Sequence, residues 1–180
     1  MSNILLIFST TDGHTKKISL KIQAIIESKS HSVTLLPIEE VTSESLASYD
    51  KVIIGASIRY GKHQKTVADF IEQNKTLLES KPSAFFTVNL VARKPEKCQP
   101  DTNPYIIKFL DQLNWQPDLQ GVFAGKLNYQ QYKFLDRNMI RFIMWMTKGP
   151  TDPNTNLEFT NWNSVEQFAQ AASEMRKSDD

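Results

Sequence analysis

The first half of the chain alternates short apolar runs with amphipathic stretches. Ile4 to Phe8 is an apolar run that stops abruptly at small and polar residues, and Lys16 to Glu27 then takes up a helical period. An apolar run bounded by turn residues predicts a strand buried on both faces. The helix, from about His14 to Glu27, sets Ile18, Ile22, Ile25 and Ile26 on one side. The pattern repeats with a strand over Ser32 to Leu36 ended by Pro37, a short helical piece at Ser43 to Ser48, and a strand over Lys51 to Ala56. A turn over Ser57 to Lys62 leads to a helix from Lys65 to Leu78, striped by Val67, Phe70, Ile71, Leu77 and Leu78. A fourth strand, Ser83 to Val88, gives way to a long loop, Asn89 to Asp101. A helix from Thr102 to Leu113 presents Ile106, Phe109, Leu110 and Leu113. A fifth strand spans Gly121 to Leu127. The last helix, Asn163 to Arg176, turns Val165, Phe168, Ala169, Ala172 and Met175 inward.

Strand-helix alternation with buried-type strands calls for an α/β fold: a doubly wound, five-stranded parallel sheet of order 2-1-3-4-5, in one domain over residues 1–180. Ligands of such sheets sit at the carboxyl ends of the strands, so the loops that matter are Ser9 to Thr15, Ser57 to Lys62 and Asn89 onward. The first is rich in hydroxyls. Ser9, Thr10, Thr11 and Thr15 can each donate a hydrogen bond, Gly13 allows a tight path, and the next helix starts here with free N–H groups. This predicts an anion site, with a phosphate monoester as its occupant. The turn lacks the glycines of a dinucleotide fingerprint and the Gly-Lys-Ser/Thr of a P-loop.

One segment lies outside the plain alternation. Residues 128–156 separate the fifth strand from the last helix, where a few residues would suffice. Within it, Lys133, Arg137 and Arg141 recur every fourth position, while Phe134, Leu135, Met139, Ile140, Phe142, Ile143, Met144, Trp145 and Met146 cover most of the remaining helix surface. Such a helix suits an anionic membrane boundary, a hydrophobic ligand channel, or a wall packed on the domain or a second subunit.

Net charge is only +1, but its distribution is uneven. Residues 56–65, 89–97 and 126–148 hold eleven of the 21 bases and two of the 20 acids. That basic rim at the ligand edge would attract carboxylates, phosphates or acidic lipids. Arg59 and Arg93, each in a ligand-side loop, can grip a carboxylate in bidentate fashion. Nucleic acid is a poor partner because no recognition motif is present. Metal binding is unsupported: His14, His31 and His63 are far apart, and Cys98 has no companion at ligand spacing. The lone cysteine excludes an internal disulfide and fits a reducing compartment. Neither a secretory leader nor an apolar run of about 20 residues is visible. No nucleophile elbow or triad pattern appears, so the catalytic residues stay unassigned and any chemistry belongs to a cofactor.

The turn Phe8-Ser-Thr-Thr-Asp-Gly-His-Thr15 resembles the phosphate turn that flavodoxins use for FMN. Together with Val52-Ile-Ile-Gly-Ala-Ser-Ile-Arg-Tyr-Gly61 and Ser83-Ala-Phe-Phe-Thr-Val-Asn-Leu-Val-Ala-Arg-Lys-Pro-Glu-Lys97, it resembles more closely the bacterial menaquinone-dependent protoporphyrinogen IX dehydrogenases of the HemG type. Tyr132, Asp136, Arg137, Met139, Ile140 and the stretch Thr160 to Trp162 carry the same likeness. It implies an oxidoreductase of haem biosynthesis with FMN, a porphyrinogen donor and a quinone acceptor, menaquinone or ubiquinone, on the inner face of the bacterial membrane. By motif, Ser9, Thr10, Thr11, Asp12, Gly13, His14 and Thr15 would hold the FMN phosphate. Ala56, Ser57, Ile58, Arg59, Tyr60 and Gly61, with Asn89, Leu90, Val91, Ala92 and Arg93, would flank the ribityl chain and ring. Arg59, Arg93, Lys94, Tyr132 and Arg137 are the candidates for substrate. A flavodoxin-type electron carrier, or an NAD(P)H:quinone reductase on the same fold, would share FMN. Carriers of that kind resemble an acidic plug around their flavin, against which the basic rim counts. A homo-oligomer stays open.

Overall fold

The computed structural model describes residues 1–177. Five parallel strands form the sheet: β1 (Asn3–Ser9), β2 (Ser32–Pro37), β3 (Lys51–Arg59), β5 (Ser83–Asn89) and β6 (Leu119–Ala124). Their order is β2-β1-β3-β5-β6, with a two-residue β4 (Lys62–His63) folded back antiparallel on the end of β3. Setting β4 aside, this is the 2-1-3-4-5 order expected from the alternation. Successive residues of β1 serve opposite faces. Leu5 and Ile7 enter one core with α3 (Lys65–Glu79) and α4 (Pro104–Leu113). Ile4 and Leu6 enter the other with α1 (His14–Ser28) and α6 (Trp162–Glu174). Burial on both faces is why β1 is apolar from Ile4 to Phe8, and each fully buried Leu or Ile stabilises by about 1.5–3 kcal/mol. A short helix, α2 (Ser43–Ala47), starts on a Thr42 cap that accepts from the Ser45 amide.

Three expectations need correction. The segment Ser57 to Arg59 is strand, not turn, because β3 continues into a hairpin closed by Tyr60 and Gly61, both at positive φ. The fifth strand breaks at Gly125: β6 stays in the sheet, while β7 (Lys126–Asn128) leaves it and pairs with β8 (Asn156–Glu158). The long loop after β5 is wound into 3-10 turns over Leu90–Arg93 and Pro95–Lys97, the first capped by the Asn89 side chain on the Ala92 amide.

The insert between β7 and β8 carries α5 (Phe134–Met146). It has its own small core of Leu127, Tyr129, Tyr132, Ile140 and Met144, separate from the two sheet-face cores.

His63 fixes the β3–β4 hairpin. Its ring lies between Phe85 and Phe109, with Nε2 3.0 Å from the Thr87 hydroxyl, and burial pushes its pKa down to about 3. The unfolded chain therefore binds a proton that the folded chain rejects between the ordinary histidine value and 3. Stability contributed by neutral His63 is intact above pH 6.5 and is lost as pH falls, at up to about 1.4 kcal/mol per pH unit. Urea midpoints from pH 7 to pH 4 should fall more steeply for the parent than for His63→Phe. Parallel curves would show that the ring is not held neutral.

Candidate functional site

Three chain segments converge at the carboxyl end of the sheet, and they are the three loops singled out above. One cavity there is lined by Thr10, Thr11, Asp12, His14 and Thr15 of the β1–α1 turn, by Ser57 to Gly61 of the hairpin, and by Asn89, Leu90 and Val91 after β5. Tyr132, Ile140 and Ile143 of the insert close one side, and Tyr105, Gly125 and Lys126 complete the wall.

The polar end of this cavity is built for an anion. Gly13 holds φ at +82°, a conformation that strains other residues, and it leaves the N-terminus of α1 without a side-chain cap. The Thr10 hydroxyl accepts from the Gly13 amide and shapes the turn. Two hydroxyls in the lining, Thr15 Oγ1 and Ser57 Oγ, are buried and have no partner among the described residues. Buried hydroxyls left unbonded cost about 1–3 kcal/mol each, so these two fit a ligand that supplies acceptors. Uncapped helix N–H groups, two orphaned hydroxyls and an open glycine match a flavin phosphate and its attached chain.

His14 opens α1 and faces the same cavity. The Thr160 hydroxyl donates to the Ala124 carbonyl and therefore accepts from His14 Nε2, 2.6 Å away. That fixes the tautomer: Nε2 carries the proton. Burial lowers the His14 pKa, only partly offset by Glu158, so the ring adds no positive charge at neutral pH. Glu158 is held below the usual carboxylate range by its hydrogen bond with Lys17 and also accepts from the Trp162 indole.

Arg59 sits between the rings of Tyr60 and Tyr132, 5.8 and 5.2 Å away. It donates to Asp12 at 3.1 Å and lies 3.9 Å from Asp136, which also accepts from the Tyr60 hydroxyl. The phosphate turn, the hairpin and the insert are thus joined by one polar network. Two carboxylates surround one guanidinium, so Arg59 presents no surplus positive charge.

Several expected site residues lie elsewhere. Ser9 is buried and donates to Gln64, and Ala56 is sealed in the core. Ala92, Lys94 and Arg137 do not line the cavity; the Arg137 guanidinium lies over Phe134 instead. Arg93 is turned away altogether. Its guanidinium donates to the Leu90 carbonyl at 2.8 Å and to the Thr147 carbonyl and hydroxyl at 2.9 and 3.0 Å. It ties the loop after β5 to the end of α5 and has no fork left for a carboxylate. Tyr105 was missed because it hides in a helix start; Lys126 was placed only in the basic rim, because it stands at a strand break that periodicity does not show.

The outer face of α5 is apolar. Leu135, Trp145 and Phe134 are 79%, 68% and 66% exposed, and Met139, Phe142 and Met146 join them, whereas Ile140 and Met144 pack inward. No described helix is long and apolar enough to cross a membrane. No group of metal-ligating side chains occurs among the described residues.

A family model described as a flavodoxin domain matches residues 5–154. The protoporphyrinogen IX dehydrogenase [quinone] of Escherichia coli (strain K12) is 41% identical over 165 residues, covering 92% of this chain and 91% of that protein. A protein of the same name from Leishmania major is 44% identical over 166 residues, 92% of this chain and 72% of that one. Among solved structures, two-electron reduced Megasphaera elsdenii flavodoxin superposes with a TM-score of 0.59 at 11% identity, covering 96% of this chain and 99% of its own. Oxidised flavodoxin 2 from Bacillus cereus gives 0.56 at 20% identity, with 96% and 98% covered. The two structural likenesses show the fold.

Proposed function

The chain belongs to the flavodoxin-domain family, among the protoporphyrinogen IX dehydrogenases, and from that premise we propose that it oxidises protoporphyrinogen IX to protoporphyrin IX and passes the electrons to a membrane quinone. The observation that carries this reading is the joint cavity, polar at the phosphate turn and walled by Ile140 and Ile143 of the insert. A porphyrinogen is a large apolar ring with two carboxylates, and it needs both kinds of wall.

FMN is the flavin in this reading; when bound it accepts electrons from the porphyrinogen and returns them to the quinone. Thr10, Thr11, Gly13, His14 and Thr15 would hold its phosphate through backbone N–H groups and hydroxyls. Ser57, whose hydroxyl has no partner among the described residues, would donate to its ribityl chain, and the Ser57 to Gly61 and Asn89 to Val91 segments would flank the chain and ring. Tyr60 and Tyr132 supply aromatic surface. Ile140 and Ile143 give the porphyrinogen an apolar wall, and the protons it loses on oxidation, from pyrrole N–H and meso C–H, pass to solvent.

The exposed face of α5 rests on an anionic bilayer in this reading. Its apolar side chains enter the headgroup boundary while Lys133, Arg137 and Lys148 meet acidic lipids. This brings the crevice to a quinone confined in the membrane, on the cytoplasmic side, with menaquinone as the acceptor and haem synthesis as the pathway.

One anaerobic experiment tests the scheme. Protoporphyrinogen IX should bleach FMN-loaded protein and generate porphyrin fluorescence. A menaquinone analogue should then sustain turnover, faster when delivered in phosphatidylglycerol vesicles than in phosphatidylcholine vesicles. A flavin left oxidised by porphyrinogen but reduced by NAD(P)H or a redox protein would move the chain to the reductase or carrier class. Equal rates in both vesicles would remove the membrane role of α5.

A further inference from the structure

Beside the main cavity a second, polar recess opens off the phosphate turn. It is lined by Asp12, Gly13, His14, Lys17, Lys126, Asn128, Gln131 and Tyr132. Asp12, His14, Lys126 and Tyr132 belong to both spaces, so a ligand in the main cavity can extend an arm into the recess. Its charges divide cleanly. Asp12 is committed to Arg59, and Lys17 to Glu158 at 2.7 Å. His14 is neutral, as argued above. Lys126 remains. Its cross-strand neighbour Glu158 is engaged by Lys17 and the Trp162 indole. No carboxylate among the described residues lies within salt-bridge distance of Lys126. It is half-buried at the start of β7, just past the break at Gly125.

We propose that Lys126 receives a carboxylate of the porphyrinogen in this recess, with Asn128 and Gln131 beside it, and so selects substrates that carry a free acid. The assignment rests on the porphyrinogen reading above. It replaces the two arginines that the sequence favours: Arg59 faces two carboxylates of the chain itself, and Arg93 is spent on Leu90 and Thr147. An ammonium ion is suited to the task, because its three donors need no fixed fork and can follow a flexible propionate arm.

The nearest rival for the same charge is the cofactor phosphate at the adjoining turn, and the test separates the two. Protoporphyrin IX and its dimethyl ester would be titrated into FMN-loaded protein and followed by porphyrin fluorescence, for the parent, Lys126→Gln and Lys126→Arg. The parent should prefer the free acid. Lys126→Gln should weaken acid binding by about tenfold, the range of a hydrogen bond to a charged group, and leave ester binding unchanged. Lys126→Arg should keep most of the preference, and FMN affinity should stay within about twofold throughout, since no contact with the phosphate is removed. Equal losses for acid and ester, or no preference in the parent, would overturn the assignment. A loss confined to FMN affinity would also overturn it and give Lys126 to the phosphate. A parent that prefers the acid through Lys126 yet oxidises no porphyrinogen would sink the activity and leave the carboxylate site standing.

Discussion

Arg93→Ala should loosen the insert before it disturbs any ligand. In the parent, one guanidinium satisfies the carbonyls of Leu90 and Thr147, groups that lie on opposite sides of the junction between the loop after β5 and the end of α5. Truncation strands those acceptors and removes a charged donor from a half-buried position. The expected loss is about 2–4 kcal/mol, less than a simple sum of charge-assisted hydrogen bonds at about 1.5–3 kcal/mol each, because the guanidinium is only half-buried. Limited proteolysis should cut near Thr147 in the variant under conditions that spare the parent. Arg93→Lys should not rescue it, because an ammonium lacks the planar fork that reaches both carbonyls. A variant as protease-resistant as the parent, with only its porphyrinogen KM raised, would return Arg93 to the substrate site.

The second large effect is expected at Gly55, which does not itself line the cavity. Gly55 on β3 lies opposite Phe86 on β5, and the phenyl ring covers the place where a side chain would stand. A Cβ at position 55 would come within 2.1 Å of Phe86 Cζ. The ring cannot swing aside, since it is fully buried and packs against Phe123 and Phe168 at 5.5 and 5.6 Å. Gly55→Ala should therefore lower stability by about 3 kcal/mol, the upper part of the overpacking range. The denaturant midpoint should drop with the slope unchanged. Adding Phe86→Leu, which shortens the obstructing group, should recover part of the loss. An unshifted midpoint in Gly55→Ala would mean that the strands separate more easily than this packing implies.

The sheet and its helices were legible because their cores are periodic. Ile18, Ile22 and Ile26 can share one face only in a helix, and Ile4 to Ile7 can be apolar throughout only in a strand covered on both sides. The loops forming the cavity followed from strand order alone. What escaped was local or long-range. Ser57 to Arg59 looks like turn because polar side chains end a buried strand, and no Asn-Gly or Asp-Gly pair marks the tight hairpin beyond it. β8 is exposed along its whole length, so no alternation signals it. Arg93 reads as a ligand because it sits in the correct loop; its partner Thr147 lies 54 residues away, and no pattern encodes that distance. The surplus charge of Lys126 was equally hidden, because it emerges only after Arg59, Lys17 and Asp12 are paired in space.

The core of Leu127, Tyr129, Tyr132, Ile140 and Met144 is much smaller than the two sheet-face cores, so the insert is expected to open before the sheet it leans on. Denaturation of this chain is then expected to show two unequal transitions, which a single fitted midpoint would average. The tryptophans report on different parts. Trp145 on α5 follows the weaker unit, while Trp115, 1% exposed against the sheet, and Trp162, packed on the other sheet face, follow the stronger. Total tryptophan emission would blend the two, and a variant that frees only the insert would pass for a protein uniformly destabilised.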